Sequence, residues 1–191
     1  IVELLECKLN SPESISEVQG IVYWVGKQVV QNQRRKPPKL DTLPLPAWDL
    51  FPMDKYTTCL KVLRMKEADI VFPMITTRGC ISKCSFCYRM ESGIRIRKPE
   101  HIIEEMKDLH KKYGVTYFIF FDELSVISKK QILKFSSMIK ENFEDIRFYM
   151  NCRVDVFDDE IACAMKEAGC ALINIGFEST DQNVLDLLGK R

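Results

Sequence analysis

From about residue 68 onward, apolar and polar positions form two kinds of segment that alternate along the chain. Short, continuously apolar runs such as 115–121 (VTYFIFF) predict buried strands, and longer stretches with helical spacing such as 99–113 predict amphipathic helices. Four strand–helix units follow one another, which is typical of parallel strands covered by helices. The pattern therefore predicts an α/β fold, and it fits a doubly wound sheet or a (β/α) barrel equally well.

Single residues mark where the predicted helices begin and end. Pro99 suits the first turn of a helix that stops at Gly114, and Ser128 is a good N-cap for the next helix. The third helix is expected to end at Gly169. The strands before the four helices are predicted at 69–76, 115–121, 147–153 and 170–178.

The first 60 residues follow a different pattern. Residues 1–12 have a short helical pattern that stops at its polar and proline end (NSP), and residues 21–31 predict a hairpin that turns at Gly26 and Lys27. Five prolines between residues 36 and 52 then exclude a continuous helix or a central strand. This proline-rich connector is too apolar for a solvated linker, so we expect its large apolar side chains to pack on a domain surface: Leu40, Leu43, Leu45, Trp48, Leu50 and Phe51.

Composition narrows the class of protein. The chain has 191 residues, of which 46% are apolar and 29% charged, as in a globular protein. A net charge of +1 gives no electrostatic reason to expect nucleic acid or a membrane surface as the partner. The apolar runs are too short for a transmembrane segment. Because the chain starts at Ile1 and ends directly after a helical pattern without a cap, we expect a fragment of a longer protein.

Three of the eight cysteines lie within eight residues, in the sequence TTRGCISKCSFCYRM. Such a group is more typical of metal binding in a reducing cytoplasm than of disulfides. The spacing Cys-x3-Cys-x2-Cys supplies three thiolates from Cys80, Cys84 and Cys87. A [4Fe–4S] cluster usually takes four cysteines, so three ligands leave one iron open for a substrate or cofactor.

Other interpretations of these cysteines remain. They could be three buried thiols, or a zinc site completed by a fourth residue, although the only histidines, His101 and His110, lie on the following helix. The cysteines of the later strand–helix units are expected to be ordinary buried thiols: Cys152, Cys163 and Cys170.

With Phe86 directly before its last cysteine, the motif CxxxCxxC resembles that of the radical S-adenosylmethionine (SAM) superfamily. The resemblance implies a partial (β/α)6 barrel, of which this chain would hold the first four units. It also implies that SAM chelates the open iron and that one electron cleaves SAM to methionine and a 5′-deoxyadenosyl radical. An electron donor such as flavodoxin or ferredoxin and a small-molecule substrate follow from that chemistry.

Five pieces of the chain resemble a narrower branch, the cobalamin-binding radical SAM proteins, which include carbon methyltransferases and anaerobic magnesium-protoporphyrin ester cyclases. The pieces are LDTLPLPAWDLFP, TTRGCISKCSFCYR, FFDE, NCRVD and INIGFES. This resemblance implies that 1–12 is the last helix of an upstream cobalamin-binding domain, 13–60 the hairpin and connector, and 61–191 the first part of the barrel. The alternatives are a radical SAM enzyme without cobalamin, of the methylthiotransferase or dehydrogenase type, and a non-catalytic iron–sulfur or zinc module.

Charged residues follow the predicted strands, where α/β proteins place their functional groups. In the superfamily the position of Asp122 and Glu123 binds the amino group of SAM; the alternative is an acidic pair that caps a helix. Arg153 could contact the carboxylate or ribose of SAM, or could pair with Asp155 or Glu178.

The remaining candidates come from the resemblance. Glu178 corresponds to a residue that accepts hydrogen bonds from the ribose hydroxyls, with a helix cap as its alternative. Lys190 corresponds to a basic residue that neutralises the methionyl carboxylate, with a solvent-facing lysine as its alternative. Phe86 and Tyr88 are expected to line the adenine pocket, Phe86 by stacking and Tyr88 mainly through its backbone.

The cysteine spacing predicts the metal content of the full-length protein. Anaerobic reconstitution should give about four irons and four sulfides per chain, measured by iron and sulfide assays and visible absorption. Changing Cys80, Cys84 or Cys87 to Ala should abolish the cluster, whereas Cys152→Ala should retain it. Bound zinc without iron–sulfur absorption would contradict this prediction.

Overall fold

The structure is a computed structural model that describes residues 2–7, 12–88, 91, 93–125 and 128–190. It forms two compact units, Ile1–Pro38 and Lys39–Arg191. None of the helices in these described ranges has both the length and the apolar character needed to cross a membrane. The functional roles expected for 1–12, 13–60 and 61–191 stay predictions.

The first unit contains two short helices and the predicted hairpin. Helix α1 spans Val2–Glu6, and α2 spans Pro12–Ser16. Pro12 therefore begins a helix, where the sequence predicted the end of one; proline fits a first helical turn because its missing N–H is not needed there. Strands β1 (Val22–Val25) and β2 (Gln28–Gln31) pair antiparallel, and Gly26 in the turn has a φ of +59°, so the hairpin is confirmed.

The second unit is built on four parallel strands, in the order in which they occur in the chain: β3 (Val71–Met74), β6 (Tyr117–Phe120), β7 (Arg147–Cys152) and β8 (Cys170–Ile175). The predicted α/β fold is confirmed. Neighbouring strands in the sheet are also successive in the chain, and a helix follows each strand, as in the first part of a (β/α) barrel. The four described strands form an open sheet.

Helices cover one face of this sheet at the positions that the sequence predicted. They are α4 (Pro99–Tyr113), α5 (Lys129–Asn142) and α6 (Asp159–Glu167), followed by α7 (Gln182–Leu187) after β8. The Ser128 hydroxyl caps α5 by accepting from the Gln131 N–H, and Gly114 ends α4 with a φ of +69°.

Apolar side chains fill the space between the sheet and these helices. Phe120, Phe135 and Phe148 meet edge to face, with ring centroids 5.6–6.1 Å apart. Val71, Tyr117 and Ile119 form a smaller buried cluster on the opposite side of the strands. The two clusters explain why these strands are apolar at nearly every position.

One element was missed by the sequence interpretation. The cysteine loop does not directly follow β3 but lies within a separate antiparallel hairpin of β4 (Thr77–Cys80) and β5 (Gly93–Ile96). Gly79 lies opposite Ile94, with a φ of +85°. The alternation of Ile94 and Ile96 with arginines was the available signal for β5.

Most of the proline-rich connector belongs to the second unit, where a few of its residues pack on the sheet and the helices. It contains 3-10 turns at Leu40–Thr42 and Trp48–Leu50 and leads into α3 (Met53–Cys59). Leu40 is buried, and Asp41 Oδ1 accepts the N–H of Lys98 at the start of α4, at 2.8 Å.

Trp48 makes the best-defined contact of the connector. Its ring lies edge-on to Phe72 with centroids 5.0 Å apart, and its indole N–H donates to Glu105 Oε1 at 3.1 Å. The sequence predicted packing at more positions than the structure shows. Leu43 and Leu50 were expected to be packed but are 44% and 79% exposed. Proline restricts the backbone angles of this segment and of the residues before each proline, so the chain directs only some of its apolar side chains towards the core.

The contrast between Trp48 and Leu50 yields a stability prediction. Trp48→Ala should lower the free energy of unfolding by about 3 kcal/mol, because it removes a ring packed on Phe72. The matched control Leu50→Ala should change it by less than about 0.5 kcal/mol, because Leu50 faces solvent. Both values come from urea unfolding of the purified variants, and equal effects would contradict the docking role of Trp48.

Candidate active site

The three cysteines predicted as ligands lie on the β4–β5 hairpin, beyond the carboxyl end of β3. Cys80 is the last residue of β4, and Cys84 and Cys87 follow in the connecting loop. All three are free thiols; Cys80 and Cys84 are half-buried and Cys87 is exposed. The Ser82 N–H donates to Cys80 Sγ at 3.4 Å, and the Cys87 N–H donates to the Cys84 carbonyl at 3.2 Å.

This donor set fits an iron–sulfur cluster. Within the described residues, no three His, Cys, Asp or Glu side chains converge closely enough to hold a single metal ion. A cluster does not require such convergence, because each cysteine binds a different iron atom. Three thiols on one exposed loop, one of which accepts an N–H bond, match the ligands and sulfur hydrogen bonds that such clusters use.

Later segments of the chain fix the cysteine loop. The Ser85 N–H donates to the Leu188 carbonyl at 2.9 Å, just beyond α7. A Cβ added at Gly189 would lie 3.1 Å from the Lys83 carbonyl oxygen, so the two backbones approach closely there. The Arg153 guanidinium donates to the Ser82 hydroxyl. The loop therefore contacts the segments that follow both β7 and β8.

Asp122 and Glu123 differ in their surroundings although they are adjacent. Asp122 is 4% exposed, and its Oδ1 accepts the N–H groups of Thr76 and Thr77 at 2.7 and 3.0 Å. The Thr76 hydroxyl donates to its other oxygen. Burial raises the pKa of Asp122, against the opposing effect of these hydrogen bonds. Glu123 is exposed, so it is the carboxylate of this pair that an external group can reach.

Arg153 pairs with Asp155, one of the two partners left open by the sequence. Its Nε and Nη2 lie 2.8 and 2.7 Å from the two carboxylate oxygens of Asp155. Hydrogen bonding to Asp155 is the main cause that raises the pKa of Arg153, and the sulfurs of Cys80 and Cys84 add to this effect. The guanidinium therefore lies within electrostatic range of two predicted ligands.

Glu178 and Lys190 form an ion pair with each other, with Nζ 2.7 Å from Oε1. Glu178 has a φ of +60°, a left-handed conformation that is uncommon for a non-glycine residue. Gly176 provides the space for the pair, since a Cβ there would lie 2.9 Å from Lys190 Nζ. Strain of this kind is concentrated at functional sites.

The remaining predicted residues fall into two groups. Phe86 and Tyr88 are 54% and 85% exposed on the cysteine loop, so their rings are accessible. Burial raises the pKa of Cys152 to about 11 and of Cys170 to about 12, because it disfavours the charged thiolate; that neither cysteine is a cluster ligand stays a prediction. Cys163 was expected to be buried but is exposed on α6.

Sequence reasoning missed a row of hydrogen bonds across the strand ends. The Asn151 amide donates to the Asp122 carbonyl at 2.7 Å, and the Asn174 amide donates to Asn151 Oδ1 at 3.2 Å. With the bonds of Asp122 to Thr76, this row joins the ends of β3, β6, β7 and β8. The available signal was an asparagine near the end of each of the last two strands.

A parallel sheet with a thiol loop and charged groups beyond the carboxyl ends of its strands is the arrangement in which α/β enzymes place their functional residues. The chain belongs to the radical SAM superfamily, which matches residues 74–191.

Two curated proteins are similar to most of this chain. An uncharacterized methyltransferase from Pyrococcus horikoshii is 35% identical over 95% of this chain and 39% of its own length. The anaerobic magnesium-protoporphyrin IX monomethyl ester cyclase of Cereibacter sphaeroides is 27% identical over 95% of this chain and 30% of its own length. The chain thus spans less than half the length of these relatives.

Solved structures support the fold. The cobalamin-dependent SAM radical enzyme OxsB is 21% identical and has a TM-score of 0.69, covering 92% of this chain and 26% of OxsB. The radical SAM methyltransferase TsrM from Kitasatospora setae, solved with cobalamin and a [4Fe–4S] cluster, is 20% identical, with a TM-score of 0.56 over 63% of this chain and 26% of TsrM.

The close approach at Gly79 generates a prediction about the hairpin. A Cβ at Gly79 would lie 2.4 Å from the Gly93 carbonyl oxygen, whereas a Cβ at Gly93 meets no atom within 4 Å. Both residues have positive φ, so each change to Ala adds backbone strain of about 1–2 kcal/mol.

Gly79→Ala should therefore lower the free energy of unfolding more than Gly93→Ala, because only Gly79→Ala also separates the two strands. It should also reduce the iron bound after anaerobic reconstitution of the full-length protein. Denaturant unfolding and iron assays measure both effects, and equal behaviour of the two variants would contradict the role of this contact.

Proposed function

We propose that the protein is a radical SAM enzyme in which Cys80, Cys84 and Cys87 bind a [4Fe–4S] cluster. The observation that carries the proposal is the placement of these three free thiols on one loop at the carboxyl end of a parallel sheet, in a member of this superfamily. When bound, the cluster would supply the electron that cleaves SAM to methionine and a 5′-deoxyadenosyl radical. The residues of the chain then bind and orient SAM.

Glu123 is our candidate for holding the SAM amino group. An ammonium group needs an acceptor, and an exposed carboxylate at a strand end provides a charge-assisted one. The Asp122 carboxylate already accepts from Thr76 and Thr77, and a buried carboxylate that gave up these bonds would leave their donors unsatisfied. This difference favours Glu123 over its neighbour.

Glu178 and Lys190 would bind two other parts of SAM. A carboxylate suits the ribose hydroxyls as donors, and an ammonium suits the methionyl carboxylate. Their ion pair holds the two charged groups next to each other in the SAM-free protein. The side chains of Glu178 and Lys190 are 35% and 20% exposed, so a ligand can reach both. Phe86 offers an accessible ring to the adenine, and Tyr88 would contribute through its backbone. Arg153 also lies beside this face.

We also propose that the enzyme uses cobalamin, bound outside this chain, in a methyl transfer or cyclisation on an unactivated carbon. The names of the relatives and solved structures support this branch over a cobalamin-independent methylthiotransferase or dehydrogenase. A small-molecule substrate, a flavodoxin or ferredoxin as electron donor, and a cytoplasmic location complete the proposal.

The test of the branch uses the full-length enzyme. After anaerobic reconstitution and addition of hydroxocobalamin, we expect the absorption spectra of both a cluster and bound cobalamin, and dithionite should yield 5′-deoxyadenosine from SAM. A cluster with SAM cleavage but no bound cobalamin would favour the cobalamin-independent alternative. Absence of SAM cleavage by a loaded, reduced cluster would contradict the proposed function.

Because Asp122 is buried and Glu123 is exposed, substitutions at the two positions should have different effects. Glu123→Gln should weaken SAM binding about tenfold or more, because a charge-assisted hydrogen bond is lost, and should retain its iron. Asp122→Asn should leave SAM affinity unchanged but lower the melting temperature, because it disturbs the buried bonds to Thr76 and Thr77. Isothermal titration of cluster-loaded protein measures SAM affinity, and thermal unfolding measures stability. Weaker SAM binding in Asp122→Asn with unchanged binding in Glu123→Gln would contradict the proposed contact of Glu123.

A further inference from the structure

Ser82 connects a predicted cluster ligand to a positively charged side chain. Its backbone N–H donates to Cys80 Sγ at 3.4 Å, and its hydroxyl accepts from Arg153 Nη1. Arg153 follows β7, 71 residues further along the chain than Ser82. The same serine thus contacts the ligand through its backbone and the arginine through its side chain.

Asp155 fixes the other edge of the Arg153 guanidinium. It binds Nε and Nη2 with its two oxygens, which leaves Nη1 directed at Ser82. This two-point geometry orients a planar guanidinium more firmly than a single contact would. The carboxylate also compensates much of the positive charge, so the two residues act on the cluster with opposite signs.

Reduction of an iron–sulfur cluster adds one negative charge. A hydrogen bond to a ligand sulfur and a nearby positive charge both stabilise the reduced form, and therefore raise the reduction potential. A nearby carboxylate has the reverse effect. Half-buried surroundings, as found for Cys80 and Arg153, strengthen these interactions relative to water.

We propose that Arg153 is a positioning residue that raises the reduction potential of the cluster by holding the Ser82 N–H against Cys80, while Asp155 limits this increase. The proposal rests on the proposed function, since it requires the cluster to be present. The redox step is the transfer of one electron from a reductant to the oxidised cluster, with no bond formed or broken in the protein. The role differs from a direct contact with SAM, because it operates in the SAM-free enzyme.

The test is a potentiometric titration of the full-length, cluster-loaded enzyme without SAM, with dithionite as reductant and the reduced cluster followed by electron paramagnetic resonance. Arg153→Met should lower the equilibrium constant for one-electron reduction about tenfold, a decrease of about 59 mV. Ser82→Ala should also lower the potential. It keeps the N–H that donates to Cys80 but removes the hydroxyl through which Arg153 holds that N–H in place. Asp155→Asn should shift the potential upward.

Lys140→Met is the matched control. It also removes a cation paired with a carboxylate, Glu167, but on the helix layer, and it should leave the potential unchanged. Asp155→Asn removes a negative charge and should raise the potential whether or not Arg153 holds Ser82, so the positioning role is supported specifically by a lower potential in Ser82→Ala, which changes no charge.

Unchanged potentials in Arg153→Met and Ser82→Ala at full iron content would overturn it. If Arg153→Met does not retain iron, Ser82→Ala decides: a lower potential at full iron content supports the proposal, and an unchanged potential overturns it. A wild-type enzyme that binds no cluster would instead refute the proposed function.

Discussion

The buried carboxylate of Asp122 determines where the predicted cluster ligands lie. It accepts hydrogen bonds from Thr76 and Thr77, the two residues at which the chain leaves β3 and enters β4. The Thr77 hydroxyl donates in turn to the Leu124 carbonyl at 2.8 Å. These bonds lie in a buried environment, where leaving one donor without a partner costs about 1–3 kcal/mol. The hairpin is therefore fixed at its base to the end of β6, and the cysteines are positioned with it.

Beyond this base, the cysteine loop depends on the rest of the fold. Ser82 is held from the end of β7 and Ser85 from beyond α7. A loop of this kind has few apolar contacts of its own, because Ile81 and Phe86 are more than half exposed. Its geometry is thus set by polar contacts to distant segments, and the site is a product of the whole sheet.

The sequence predicted well what local chemistry controls. Pro99, Gly114 and Ser128 act within one helical turn, so they reveal helix ends without knowledge of the fold. The parallel direction of the four strands also follows from their apolar pattern and the helices between them, whereas their order in the sheet, which separates a barrel from a doubly wound sheet, does not. The β4–β5 hairpin was missed because its pairing depends on a glycine contact between residues 14 positions apart, Gly79 and Gly93.

Individual side chains at the site were harder to predict. The sequence named Asp122 and Glu123 together, and only the Thr76 and Thr77 donors separate a buried carboxylate from an accessible one. Likewise, Glu178 and Lys190 were identified singly, but their mutual ion pair depends on the left-handed backbone at Glu178 and on the missing side chain at Gly176. Such partners lie far apart in sequence or depend on backbone turns, and periodicity contains no information about either.

The bond between Ser85 and Leu188 also constrains the biosynthesis of the protein. These residues are separated by 103 positions, so the cysteine loop is synthesised long before its last anchor. At about 5–20 residues per second, the ribosome needs roughly 5–20 s to add that length of chain. During this interval the three thiols exist on a nascent chain without their final geometry. The cysteine loop therefore gains its final anchor only after the fourth strand–helix unit has been translated, so the finished geometry of the site is a late product of synthesis.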